Sequence, residues 1–243
     1  MKYIEWNKFN NIKAFTTTRE LGNVGYQVGN DYESVRKVRT TLSRDLKIEE
    51  KNIVFVHQTH SDIIKEVNNK DLGKGMLSFE SGVEADALYT KEKGIALGIF
   101  HADCVPIFFY IPSKEIIGII HAGHQGTLKR IAEKSIEYLN KNEKVDPKDI
   151  HVYIGPSRKF FSYTIDKVDE DYIISIGYEK ALKFNGDKVL FDAPLMNYLQ
   201  LIKAGVKAEN ISITDEDTYD NPRLYSAYQK TPVGRMASII LRK

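Results

Sequence analysis

The chain has 243 residues, 42% of them hydrophobic and 28% charged, and its 35 basic and 33 acidic side chains leave a formal net charge of +2. That is the composition of a soluble globular protein long enough for a sizeable core, and so even a balance excludes the basic footprint of a nucleic-acid binder. The single cysteine, Cys104, rules out an intramolecular disulfide and fits a reducing compartment.

The N-terminal stretch, Met1 to Phe15, lacks an apolar h-region. The longest apolar run, Ile95 to Ile111, is broken by Gly98, His101, Asp103 and Pro106, which excludes a membrane span. A cytoplasmic protein with no nucleic-acid or membrane partner is expected. No repeat or Pro/Gly/Ser linker interrupts the sequence, so residues 1–243 are read as one domain.

In chain order, a helix is expected over about Tyr32–Leu46, followed by a strand at Asn52–Val56. Further strands are expected at Ile95–Phe100, Val105–Tyr110 and Glu115–Ile120, the last two joined by the turn sequence Ile111-Pro112-Ser113-Lys114. Leu128, Ile131, Ala132, Ser135, Ile136 and Leu139 then fall on one stripe, which predicts a helix over about Thr127–Leu139 with Thr127 as its N-cap. A strand at Ile150–Ile154 precedes a helix at Pro194–Ala204, with Pro194 in the first turn and Gly205 at the stop. A strand at Ser238–Leu241 closes the chain. Hairpins mixed with isolated helices indicate α+β rather than alternating βαβ.

Three motifs carry chemistry: HQTHSD (His57 to Asp62), HADC (His101 to Cys104) and HAGHQGT (His121 to Thr127). They contain five of the six histidines and the only cysteine. Taken singly, His57, His101, His124 and His151 read as hydrogen-bonded core or surface residues, and Cys104 as a small buried hydrophobe. Taken together, His60, Cys104 and His121 each follow a predicted strand and make a thiolate–imidazole set suited to Zn2+. Structural zinc sites close with four protein ligands, and no fourth is evident here, so the trio reads as an open site. Zinc lowers the pKa of a water it binds towards neutrality. Gly123 and Gly126 allow close backbone approach, and a helix start beside His124 and Gln125 offers free N–H groups to an anion such as phosphate.

These motifs resemble the YfiH/YlmD family, also called the laccase-domain or multicopper polyphenol oxidase family. The resemblance spans nearly the whole chain, through FTTTR (Phe15 to Arg19), EADALYT (Glu84 to Thr90), ADCVPIFFY (Ala102 to Tyr110), YIGPS (Tyr153 to Ser157), FDAPLMNYLQL (Phe191 to Leu201) and VGRMASII (Val233 to Ile240). Its most specific element is ADCVP with HAG, which places Cys104 seventeen residues before His121. The resemblance implies an α+β fold of mixed sheets packed with flanking helices, with His60, Cys104 and His121 as metal ligands. It also implies phosphate-dependent cleavage of purine nucleosides (adenosine, inosine, guanosine, methylthioadenosine) with adenosine deamination, the partners being purine nucleoside and phosphate.

A four-copper oxidase needs about ten imidazoles; with six histidines this chain is not one, although a single Cu2+ could occupy the trio. For deamination, Asp103 or Asp86 is the expected proton shuttle. Beside a ligand, Asp103 could equally orient an imidazole, and Asp86 could equally serve a turn. For phosphate, the expected partners are Gly123, His124, Gln125 and Gly126 with Arg19 or Arg235. The chain departs from the family pattern where HAGWRG becomes His121-Ala122-Gly123-His124-Gln125-Gly126, where Cys-Thr becomes Asp217-Thr218, and where Phe-Ser-x-Arg-Arg becomes Tyr225-Ser226-Ala227-Tyr228-Gln229. Two other readings compete. One is a cysteine hydrolase acting on cell-wall precursors, with Cys104 as nucleophile and His121 as base. The other is a non-catalytic metal-binding regulatory protein.

Overall fold

A computed structural model describes residues 1–29, 31–229 and 233–243. The strands are β1 (Tyr3–Glu5), β2 (Ile12–Thr17), β3 (Ile53–His57), β4 (Ile64–Glu66), β5 (Val83–Glu84), β6 (Ala87–Thr90), β7 (Ala96–His101), β8 (Val105–Ile111), β9 (Ile116–Ala122), β10 (His151–Ile154), β11 (Thr164–Ile165), β12 (Leu182–Asn185), β13 (Lys188–Phe191), β14 (Ile211–Ile213) and β15 (Met236–Arg242). The helices are α1 (Tyr32–Leu46), α2 (His124–Leu128), α3 (Ile131–Glu143), α4 (Lys167–Ser175) and α5 (Ala193–Lys203). Two six-stranded sheets have the orders β1-β2-β15-β7-β3-β5 and β14-β10-β8-β9-β6-β4, and a small sheet has the order β11-β13-β12. Both large sheets are mixed, with parallel pairs such as β3–β7 and β10–β14 beside antiparallel ones.

The period of two along each strand explains the layering. In β3, Val54 and Val56 face the second sheet and share a core with Phe108, Tyr110, Ile117 and Ile119. Ile53 and Phe55 face the opposite way, onto Leu42 and Leu46 of α1. The outer face of the second sheet, with Ile107, Phe109 and Ile120, packs on Ile131 and Ile136 of α3 and Met196 of α5. The result is four layers, helix–sheet–sheet–helix. Strands buried on both faces read as unbroken apolar runs, and each fully buried large side chain contributes about 1.5–3 kcal/mol.

The predicted hairpin forms, with Ile111 opposite Ile116 across a turn at Pro112–Lys114. Asp192 caps α5 by accepting from the Leu195 amide. The predicted helix at Thr127–Leu139 requires correction. The chain forms α2 and α3, separated at Arg130, which takes a left-handed φ of 63°. Thr127 lies inside α2, and Gly123 is its N-cap. The Thr127 hydroxyl instead accepts from Asn197 of α5. The apolar stripe continues in register across the break, so periodicity alone could not reveal it. Helix α4, capped by Asp166, was not expected: its apolar pattern is weak.

One consequence of the topology positions the chemistry. The connections β3 to β4, β5 to β6 and β7 to β8 each leave the first sheet and enter the second. His60 lies on the first, Asp86 on the second and Cys104 on the third. His121 is on β9.

Candidate metal centre

Two of these crossings and the end of β9 bring His60, Cys104 and His121 together, with their ligating atoms all within 4.8 Å of one another. His121 is buried, Cys104 half-buried and His60 exposed. His60 sits at a left-handed φ of 58° and Asp103 at 86°; for side chains other than glycine such conformations cost about 1–3 kcal/mol and persist only where the surroundings impose them.

Asp86 imposes the conformation at His60. Its fully buried carboxylate accepts from the amides of Thr59, His60 and Ser61, from the Ser61 hydroxyl, and from His121 Nδ1 at 2.8 Å. A carboxylate only accepts, so His121 carries its proton on Nδ1 and turns Nε2 towards Cys104. Burial pushes the Asp86 carboxyl up, but the hydrogen bond and charge of His121, with Ser61, outweigh it and hold the group at about 2. The orienting carboxylate is therefore Asp86, 35 residues from its imidazole, and not Asp103.

The trio is strongly coupled. Burial pushes the Cys104 thiol up, yet His121 and His60 bring it down to about 6. Burial pushes His121 down, yet Cys104 and Asp86 raise it to about 9. The thiol is thus ready to ionise near neutrality, as a metal ligand must be. His101 differs: burial holds it down at about 3, and its Nε2 meets the Ser238 hydroxyl in the core.

The backbone leaves room for this set only because residue 123 is glycine. A Cβ there would lie 2.6 Å from His60 Cδ2 and 3.2 Å from His121 Cε1. Gly123→Ala is expected to weaken zinc binding by roughly tenfold or more, measured by competition with a chromogenic chelator. Unchanged affinity would show that the two imidazoles do not need this space. Soft sulfur and two imidazoles in one cradle fit zinc or a single copper. They do not supply the donors for four coppers.

Two cavities meet at the trio, both bordered by His60, Cys104, Ala102 and Ala227. One, of about 250 Å³, is lined by His121, Gln58, Phe100 and Arg235 among others. The other, of about 190 Å³, is lined by Asp103, His124, Gln125, Arg158, Tyr163 and Tyr228 among others. Arg235 and the first turn of α2, His124 and Gln125, are thereby brought to the trio, on different sides. Arg19 lines neither cavity; its guanidinium donates to Gln229 and lies over the Tyr225 ring. His124 is held between Tyr163 (3.0 Å) and Asp169 (2.6 Å). Gly126 packs against the Ser61 carbonyl, 3.2 Å from where a Cβ would stand. Asp103 accepts from Thr218, Ser226 and the Ala227 amide, tying the C-terminal loop to the cavity wall. Sequence reasoning missed Gln58, Arg158 and Tyr163. Gln58 was visible inside HQTHSD, but Arg158 and Tyr163 carry no local signal.

The layered fold and the clustered trio define an α+β protein of the YfiH/YlmD type, with side chains able to hold one metal ion. Residues 15–243 match the family described as multi-copper polyphenol oxidoreductase laccase, and the chain belongs to that family. Purine nucleoside phosphorylase YlmD of Bacillus subtilis (strain 168) is 32% identical over 243 residues, covering 94% of this chain and 87% of that protein. The crystal structure of YlmD from Geobacillus stearothermophilus has a TM-score of 0.94 at 29% identity, covering 100% of this chain and 97% of that one. That of the Bacillus licheniformis hypothetical protein YfiH has a TM-score of 0.94 at 28% identity, with the same coverage. Among the described residues, no helix is long and apolar enough to cross a membrane.

Proposed function

We propose that this chain is a cytoplasmic, zinc-dependent purine nucleoside phosphorylase with adenosine deaminase activity, acting as one domain. The observation that carries this reading is the His60–Cys104–His121 cluster set between two cavities. It is supported by relatives named purine nucleoside phosphorylase at 32% and 31% identity. His60, Cys104 and His121 would hold the ion, which supplies Lewis-acid chemistry when bound.

In phosphorolysis, a phosphate oxygen forms a bond to C1′ as the C1′–N9 bond breaks. The electron pair leaves with the purine, which takes up a proton, and a pentose 1-phosphate remains. In deamination, water adds to C6 of adenine and ammonia leaves. Asp86 acts as a positioning residue, because its carboxylate is buried and already accepts from five donors. Asp103, which borders a cavity and accepts from three donors rather than five, is the carboxylate assigned the proton transfer in this reading.

Metal-replete protein given inosine and phosphate is expected to release hypoxanthine and pentose 1-phosphate, resolved by chromatography. No consumption of any purine nucleoside would overturn the proposal. The Cys104–His121 pair also suits a cysteine nucleophile. Activity that survives chelation would favour that second reading.

A further inference from the structure

Arg158 has a charge that the fold does not use. It follows β10 and is only 6% exposed, where a lone guanidinium is costly unless an anion meets it. Yet it forms no ion pair with a carboxylate among the described residues. Its Nε donates to the Ser162 hydroxyl (3.1 Å) and its Nη2 to the Ser162 carbonyl, while Nη1 donates to no group among the described residues. The guanidinium carbon lies over two rings, 3.7 Å from the Tyr228 centroid and 4.9 Å from that of Tyr163.

The other buried arginines differ. Arg39 is spent on the carbonyls of Val24, Gly75 and Met76, and Arg242 pairs with Glu115. Among the described residues, Arg158 is the single Arg or Lys lining the cavity it shares with Cys104, Gln125 and Tyr228. Arg235 lies in the cavity on the other side. Asp103, the acid in the Arg158 cavity, already turns its oxygens to Thr218, Ser226 and Ala227.

We propose that Arg158 is the phosphate-binding residue of this site, receiving inorganic phosphate on its unpaired edge in the cavity beside Cys104. The choice of phosphate as the anion rests on the phosphorolysis reading above. A guanidinium oriented by Ser162 and set over the Tyr163 and Tyr228 rings presents paired N–H groups that match two phosphate oxygens. Gln125 and Tyr228 add no charge to this cavity, and Asp103 turns its carboxylate to the C-terminal loop. The nucleoside then approaches from the side of Gln58, Phe100 and Arg235 and meets the phosphate where the two cavities adjoin, at His60 and Cys104.

The test is calorimetric titration of inorganic phosphate into zinc-loaded wild type, Arg158→Gln, Arg158→Lys and Arg235→Gln, with steady-state kinetics on inosine. Arg158→Gln is expected to weaken phosphate binding and raise its KM at least tenfold, with the KM for inosine changed less than twofold and zinc content unchanged. Arg158→Lys, which keeps the charge but not the fork, should fall between, and it decides the matter if Arg158→Gln does not fold. Wild-type phosphate affinity in the Arg158 variants, loss only in Arg235→Gln, or no phosphate binding by wild type overturns the placement. Phosphate binding that depends on Arg158 in a protein that splits no nucleoside sinks the phosphorolysis reading and leaves the anion site standing.

Discussion

Cys104→Ala is expected to bind zinc at least about a hundredfold more weakly than wild type and to lose all metal-dependent turnover. Two imidazoles remain, but the ligand carrying formal negative charge is gone, and it is also the partner that keeps His121 high. The fold should survive, because Cys104 is only half-buried and lies on a crossing rather than in a strand. Metal content of the purified proteins reads the outcome directly, about one zinc per wild-type chain against a small fraction in the variant. Equal zinc in both would remove Cys104 from the ligand set.

The same trio makes a proton prediction. In metal-free protein the Cys104–His121 pair holds one proton between about pH 6 and pH 9, and that proton resides on His121. Zinc requires a thiolate and a neutral imidazole, so near pH 7.5 loading should release about one proton from the pair. Calorimetry in buffers of different ionisation enthalpy measures this, and zinc affinity should fall about tenfold per pH unit below about 9 and more steeply below about 6, where the thiol also regains its proton.

Asp86→Asn is expected to cost on the order of 3–5 kcal/mol of stability and to weaken zinc binding by about 10- to 100-fold. Asparagine preserves the shape but removes the charge and turns an NH2 group towards donors. The carboxylate now meets three amides, one hydroxyl and an imidazole N–H, and no arrangement of an amide side chain satisfies all of them. The effect has a definite pH dependence. The folded-state group lies at about 2, below its ordinary 3.8, so its contribution is complete above about pH 4 and is lost as pH falls towards 2. That shift corresponds to about 2 kcal/mol. The stability difference between wild type and Asp86→Asn, read from denaturant titrations, should therefore be largest above about pH 4 and narrow by about 2 kcal/mol as pH falls to about 2. A constant difference across that range would show that the charge of Asp86 is not what stabilises the loop.

Much of this architecture was legible in residue order. Ile53–His57, Val105–Ile111 and Ile116–Ala122 are apolar on both faces, and β-branched runs of that kind have few other uses. The trio was legible because zinc chemistry tolerates few residue types, and five histidines with the sole cysteine fell into three short motifs. The break at Arg130 was not legible. The stripe from Leu128 to Leu139 keeps a helical period across it, and only the packing of α2 on α5, through Thr127 and Asn197, requires the turn.

The sequence by itself determined the candidate ligand set, the apolar strands and the α+β class, because each depends on residue chemistry or on spacing within a few positions. The tertiary structure decided which carboxylate serves His121 and which arginines, Arg158 and Arg235 but not Arg19, line the cavities beside the trio. Asp86 meets His121 because three connections cross between the sheets at one end of the sandwich. Arg158 lies beside Cys104 through the antiparallel pairing of β10 with β8, which brings Gly155 to Pro106. Such contacts are set by sheet order and register, and these depend on the simultaneous burial of all the strands rather than on any segment alone.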